Sequence, residues 1–386
     1  MAPSPSWLPA GFRAAAATAG LKDSGRPDVA LVVNDGPLTA AAGVFTANRV
    51  KAAPVLWSQQ VLSAGQVDAV VLNSGGANAC TGPDGFADTH RTAEAVADAL
   101  GTGAARVAVC STGLIGVRLP MDKLLPGIVD AAAGLSTDGG ADAAEAIRTT
   151  DTVAKTATTH GQGWSVGGMA KGAAMLAPAL ATMLAVVATD AVADAALLDR
   201  VLRAATAGSF DRVDTDGCMS TNDTVLLLAS GASGVTPDPD ALQAAVSAVC
   251  ADLARQMIGD AEGASKDIEV VVRTAASVAD ALEAARAVGR SNLLKCALHG
   301  NDPNWGRVLA AVGTTRAAFE PNALDVSING VQVCRAGAPG DDRDLVDLSG
   351  RDVRIVVDLH AGTETATLWT SDLTAAYVHE NSAYST

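Results

Sequence analysis

Apolar positions along this chain fall into short valine-rich runs bounded by turn residues, with longer alanine-rich stretches between them. In the first half, residues 28–34 (DVALVVN), 42–48 (AGVFTAN), 53–57 (APVLW) and 68–74 (DAVVLNS) read as strands. Residues 86–101 place Ala and Val on one face and end on Gly101, the pattern of a helix with its stop. Residues 105–112 read as a buried strand running into GLIG, and 120–134 and 141–150 as helices. In the second half, 183–190, 223–230 and 267–274 read as core strands. Residues 239–263, 277–289 and 304–313 read as helices, and 352–359 with 365–372 as a late hairpin. Strands cluster instead of alternating strictly with helices, which predicts an α+β fold over a doubly wound sheet. Neither a solenoid-length repeat nor a low-complexity block interrupts the pattern.

The length, 386 residues with 49% hydrophobic, allows one large two-part domain or two to three domains with ample core. A net charge of −15 repels phosphate backbones and anionic lipid, so neither nucleic acid nor a membrane surface is an expected partner. Aromatic residues make up only 3%, too few for base-stacking platforms. The six cysteines are widely spaced with no CxxC pair, which argues against a zinc site or a redox motif. They read as small buried hydrophobes in a reducing cytoplasm. No signal-peptide pattern opens the sequence. The apolar run over residues 173–189 is marginally short for a membrane span and contains Pro178, so it reads as core.

Several polar islands break the Ala/Val background: NSGGANACTG (73–82), STGLIG (111–116), RTTD (148–151), STNDT (220–224), GDAEG (259–263) and NDPNWGR (301–307). Taken singly, each is more often a turn or a helix cap than a site. Phosphate loops, dinucleotide fingerprints and HExxH are all missing, and none of the five histidines sits in a hydrolase motif.

Within KGAAMLAPALATMLAVV (171–187), Thr182 follows a small residue in an otherwise apolar run. A threonine hydroxyl needs a base to attack a carbonyl. An α-amine, with an ordinary pKa of roughly 7.7–8.0, is one such base, and it is available only if Thr182 begins a chain. That would require a cut between Ala181 and Thr182, made by attack of the Thr182 hydroxyl on the Ala181 carbonyl. The stretch by itself favours the plainer reading, a core threonine bonded to backbone.

The full set of islands changes that balance. GGMAKGAAMLAPALATMLAVVATDA, AAGVFTANRVKAAPVLW, LNSGGANACTG, STGLIG, TTD, STNDT, DAEG, DPNWGRVLAAVG and the terminal ENSAYST occur in order along the chain. Together they resemble the bacterial ornithine acetyltransferases of the ArgJ type, across essentially the whole sequence. The resemblance implies a layered α+β sandwich of the self-processing kind, built from two intertwined fragments, 1–181 and 182–386. It implies self-cleavage between Ala181 and Thr182, with Thr182 as nucleophile and Thr112 and Gly113 stabilising the oxyanion. Thr149, Lys171, Thr182, Glu262, Asn381 and Thr386 match substrate-contacting positions, with Thr150 an alternative to Thr149. The segment reads LAPAL where many relatives carry Asn after the proline.

The implied reaction is ping-pong acetyl transfer from N2-acetyl-L-ornithine to L-glutamate in arginine biosynthesis. It takes place in the cytoplasm without metal or organic cofactor, and acetyl-CoA is a second donor in bifunctional members. The implied assembly is a heterotetramer of two copies of each fragment. The nearest rival reading is an aminopeptidase or amidohydrolase using the same nucleophile with water as acceptor. A more distant rival is a non-catalytic protein that binds ligand through its glycine-rich loops.

Overall fold

A computed structural model of the chain describes residues 6–177 and 183–383. Ala181, Thr182 and Thr386 lie outside the described residues.

Two sheets stack face to face. The first runs in the order Phe12–Ala17, Val29–Asn34, Ala69–Asn73, Val107–Ser111. The second runs Ala40–Phe45, Thr224–Ala229, Leu184–Thr189, Ser165–Lys171, Lys155–His160. Val32, Leu72 and Cys110 of the first meet Leu184, Val186 and Leu226 of the second in one buried cluster. Helices Gly82–Leu100 and Met121–Ala133 cover the outer face of the first sheet, with Val96, Leu124 and Ile128 against Leu31, Val71 and Val109. Helices Ala195–Gly208 and Pro239–Gly259 cover the second, with Leu198 and Leu253 against Val187 and Leu227. The result is helix, sheet, sheet, helix. Strands covered on both faces have no use for polar alternation. Accordingly, every residue of Leu184–Thr189 and of Thr224–Ala229 is buried.

A third sheet, in the order Ala338–Pro339, Val331–Arg335, Asp325–Ile328, Asp352–Asp358, Asp267–Ala275, Glu364–Ser371, packs against helices Val278–Gly289 and Trp305–Val312. It joins the sandwich where Asp214 N donates to Trp369 O (2.9 Å). Three of the strand pairings are parallel and the rest antiparallel, as the α+β expectation requires.

Three expectations are corrected. Residues 53–57 begin a helix, Ala53–Leu62, not a strand. Pro54 occupies its first turn, where a missing N–H is tolerated, and Val55, Ser58 and Val61 line its buried face at helical spacing. The late hairpin does not form. Residues 359, 361 and 362 donate to Arg273 O and Thr274 O, so the connection steps over the end of Asp267–Ala275. That strand then lies between the two expected partners, parallel to one and antiparallel to the other. Cys80, Cys218 and Cys296 are exposed; only Cys110, Cys250 and Cys334 are buried, and all six are free thiols.

Candidate active site

Three of the polar islands converge at one end of the sandwich. Strand Val107–Ser111 pairs in parallel with Ala69–Asn73, so STGLIG and NSGGANACTG leave the first sheet side by side. Asn222 of STNDT ties them together, its Nδ2 donating to Ala77 O (2.6 Å) and Ser111 O (2.8 Å). Thr112 N donates to Asn73 O (3.0 Å), and the threonine is buried. Gly113 has φ 130°, and a Cβ there would lie 2.8 Å from Gly76 N and 2.9 Å from Gly76 Cα. Only glycine satisfies both the backbone angle and the close approach. Lys171 ends strand Ser165–Lys171 on the facing sheet. Its Nζ lies 3.4 Å from Thr112 Oγ1, within donating distance. The structure therefore brings Thr112, Gly113 and Lys171 together from sequence positions far apart.

With Gly113 N–H as an oxyanion donor, as the resemblance implies, Gly113→Ala is expected to shift this turn, displace that N–H and reduce kcat by about 10²–10³-fold, the usual loss of one such donor. Steady-state kinetics on purified protein check it. A loss confined to KM would place Gly113 in ground-state binding instead.

Behind Lys171 lies an ion-pair network that sequence reasoning passed over. Lys155 has no solvent exposure, and its Nζ sits 2.7 Å from Asp151 Oδ1 and 2.5 Å from Asp260 Oδ2. Asp151 Oδ1 also accepts from Gly172 N (2.7 Å), and its Oδ2 from Thr149 N (3.1 Å). Burial would raise the Asp151 pKa, but Lys171, Lys155 and these hydrogen bonds outweigh it and hold the carboxylate at about 2. Lys171 is lowered from the ordinary lysine value, by burial first and by Lys155, against the opposing pull of Asp151, Asp223 and Glu262. An anionic group arriving at Lys171 would oppose that lowering, which suits a carboxylate-bearing substrate. Nothing in KTATTH marked Lys155 as buried. Asp151 was visible only as part of RTTD.

Beside the network opens a cavity of about 1030 Å³ whose lining includes Arg26, Thr149, Thr150, Asp260, Glu262 and Asn381. Asn381 Nδ2 donates to Glu262 Oε2 (3.0 Å), and Glu262 N donates to Ala173 O (2.9 Å), two residues beyond Lys171. Thr149, Glu262 and Asn381 are thus gathered around one space, with Thr150 on the same wall. Thr182, Ala181 and Thr386 are not among the described residues. Met183, the residue after Thr182, leads into the central strand Leu184–Thr189, next to Lys171 in register with Leu184. NDPNWGR takes no part. Asn304 caps helix Trp305–Val312 by accepting from Arg307 N (3.3 Å). Among the described residues no group of His, Cys, Asp and Glu could hold a metal ion, and no helix is long and apolar enough to cross a membrane.

Two stacked sheets with a threonine–glycine turn and a buried lysine at the ends of facing strands define an α+β enzyme that gathers hydrogen-bond donors at one point, an arrangement compatible with acyl transfer. The chain belongs to the ArgJ family, which it matches over residues 13–386. The arginine biosynthesis bifunctional protein ArgJ of Streptomyces coelicolor is 68% identical over 375 residues, 97% of this chain and 98% of the relative. The protein of that name from Thermobifida fusca is 62% identical over 378 residues, 98% of this chain and 99% of the relative. A solved structure of ornithine acetyltransferase with ornithine, from Mycobacterium tuberculosis, is 59% identical; it covers 48% of this chain and 98% of its own, with a TM-score of 0.45.

Proposed function

We propose that this chain transfers acetyl groups from N2-acetyl-L-ornithine to L-glutamate in arginine biosynthesis, through acetyl-Thr182, in the cytoplasm. One observation carries the reading. In a member of the ArgJ family, Thr112, Gly113 and Lys171 meet at the sheet end from which Met183 leads, beside the cavity that holds Thr149, Glu262 and Asn381.

Cleavage between Ala181 and Thr182 gives fragments 1–181 and 182–386 and frees the Thr182 α-amine. The strands Ser165–Lys171 and Leu184–Thr189 flank the cut yet pair with each other, so the fragments stay joined through the sheet. The reading extends to a heterotetramer of two of each. The amine takes the hydroxyl proton as Thr182 Oγ attacks the acetyl carbonyl. Thr112 and Gly113 donate to the oxyanion, and Lys171 pairs with the substrate α-carboxylate. Collapse expels ornithine, whose amine leaves with the proton held by Thr182. Glutamate then enters the same site and takes the acetyl group by the reverse steps, and acetyl-CoA is an alternative donor in the first half-reaction.

The test is acetyl exchange. With labelled N2-acetylornithine, label is expected in N-acetylglutamate only when glutamate is present, and double-reciprocal plots at several glutamate concentrations are expected to be parallel. Release of free acetate without transfer would instead identify an amidohydrolase. Replacing acetylornithine by acetyl-CoA in the same assay measures the second donor.

A further inference from the structure

Two lysines are buried at this end of the second sheet, and their surroundings differ. Strand Lys155–His160 pairs with Ser165–Lys171 so that Lys155 lies opposite Ala170, one residue before Lys171. A buried ammonium ordinarily sits against a carboxylate. Lys155 has two, Asp151 Oδ1 at 2.7 Å and Asp260 Oδ2 at 2.5 Å. Lys171 has none at ion-pair distance among the described residues, and its Nζ meets only the Thr112 hydroxyl there (3.4 Å).

Lys171 is nevertheless close to an acid. Asp151 is the strongest of the charges acting on it, and Lys171 in turn helps to keep Asp151 ionised. The difference lies in how the two carboxylates are filled. Asp151 Oδ1 accepts from Lys155 and from Gly172 N (2.7 Å), and its Oδ2 from Thr149 N (3.1 Å). Asp260 accepts from Lys155, from Thr152 N (3.0 Å) and from the Thr152 hydroxyl. Lys155 cannot by itself neutralise both acids. Lys171 balances the remaining charge through space, with its N–H donors unspent.

We propose that Lys155 is a positioning residue for substrate binding: by occupying Asp151 and Asp260 it leaves the Lys171 ammonium free to receive a carboxylate from the ligand. The inference rests on the reading of Lys171 as the partner of the substrate α-carboxylate. Without Lys155, Asp151 has an open oxygen and Lys171 is the cation that fills it. A lysine closed onto Asp151 donates to the protein, and each incoming carboxylate then has to displace that pair. The loss falls on binding. The Thr112–Gly113 turn is held by Asn73 O and by Asn222, neither of which touches Lys155, so the chemical step is spared.

The test compares two double variants of the full-length enzyme in steady-state acetyl transfer from N2-acetylornithine to glutamate. Each loses one buried cation and one buried anion, so the cluster stays balanced. Lys155→Met/Asp260→Asn leaves Asp151 facing Lys171. Lys155→Met/Asp151→Asn removes the acid that would capture Lys171. The first is expected to show KM values for both substrates about 10-fold or more above those of the second, the scale of one charge-assisted hydrogen bond, with similar kcat. A merely structural Lys155 would lower kcat or the active fraction in both variants alike and leave KM unmoved. Equal KM values, or the reverse order, overturn the proposal. If either variant fails to fold, crystal structures of the wild type with and without ornithine decide. Lys155 is expected to stay on both acids in each, with Lys171 apart from Asp151 in the free enzyme and on the ornithine carboxylate in the complex. A free enzyme with Lys171 paired to Asp151 overturns the role. Unchanged KM values in Lys171→Met would instead remove Lys171 as the carboxylate partner, a different result from either.

Discussion

Thr182→Ala is expected to yield one uncut chain of 386 residues with acetyl transfer reduced at least about 10⁴-fold. The magnitude follows from losing two functions at once. Alanine has no hydroxyl to attack the Ala181 carbonyl, so the α-amine that would serve as base is never released. It also has no oxygen to carry the acetyl group. Oxyanion donors and substrate contacts remain, but they have no covalent step to accelerate. Intact mass gives the first result and the exchange assay the second. The variant is expected to melt near the wild type, because the strand Leu184–Thr189 that follows keeps its pairing on both edges. A cut chain in this variant would place the nucleophile elsewhere.

Asp151→Asn is expected to have the largest effect on stability, about 3–5 kcal/mol at neutral pH, as for other buried ion pairs that lose one member. The substitution leaves Lys155 with Asp260 alone and brings Lys171 nearer to an uncompensated buried charge. The pH dependence has a definite sign. The folded Asp151 pKa, about 2, lies below its unfolded value near 4. Its stabilising contribution is therefore complete above about pH 4 and is lost as pH falls through 2. From the size of the shift, the gap between wild type and variant should narrow by about 2 kcal/mol across that window. Urea denaturation at a series of pH values measures it. A gap that stays constant as the pH falls would mean that the carboxylate charge does not stabilise the fold.

Much of the core was legible because burial on both faces leaves a direct record in composition. Val29–Asn34, Val107–Ser111, Leu184–Thr189 and Thr224–Ala229 are apolar nearly throughout and were found as strands. Six others were not, three of them in the two stacked sheets. Phe12–Ala17 (FRAAAA), Lys155–His160 (KTATTH) and Ser165–Lys171 (SVGGMAK) are rich in residues with little intrinsic preference for strands. Their pairing partners make them extended, and a partner distant in sequence leaves no mark on the segment it stabilises. The same cause explains residues 53–57, where Val, Leu and Trp suggested a strand but the side chains face the core at helical spacing.

The candidate site divides along the same line. The order of the islands was enough to identify the family resemblance and to single out Thr112, Gly113, Thr149, Lys171, Thr182, Glu262 and Asn381, since each belongs to a short local motif. No local motif contains the burial of Lys155, the Asp151–Lys155 ion pair, or Asp223 against Met183. Those depend on free energies set by the surroundings. A lysine or an acid changes its pKa and its usefulness only when the folded chain removes water from it and places a particular charge beside it. By itself, the sequence determined the strand-rich α+β core, the family motifs and the threonine that follows Ala181. Only the tertiary structure decided which charges stand behind Lys171 and which acid faces the chain next to Thr182, because desolvation and charge proximity arise between segments far apart in sequence.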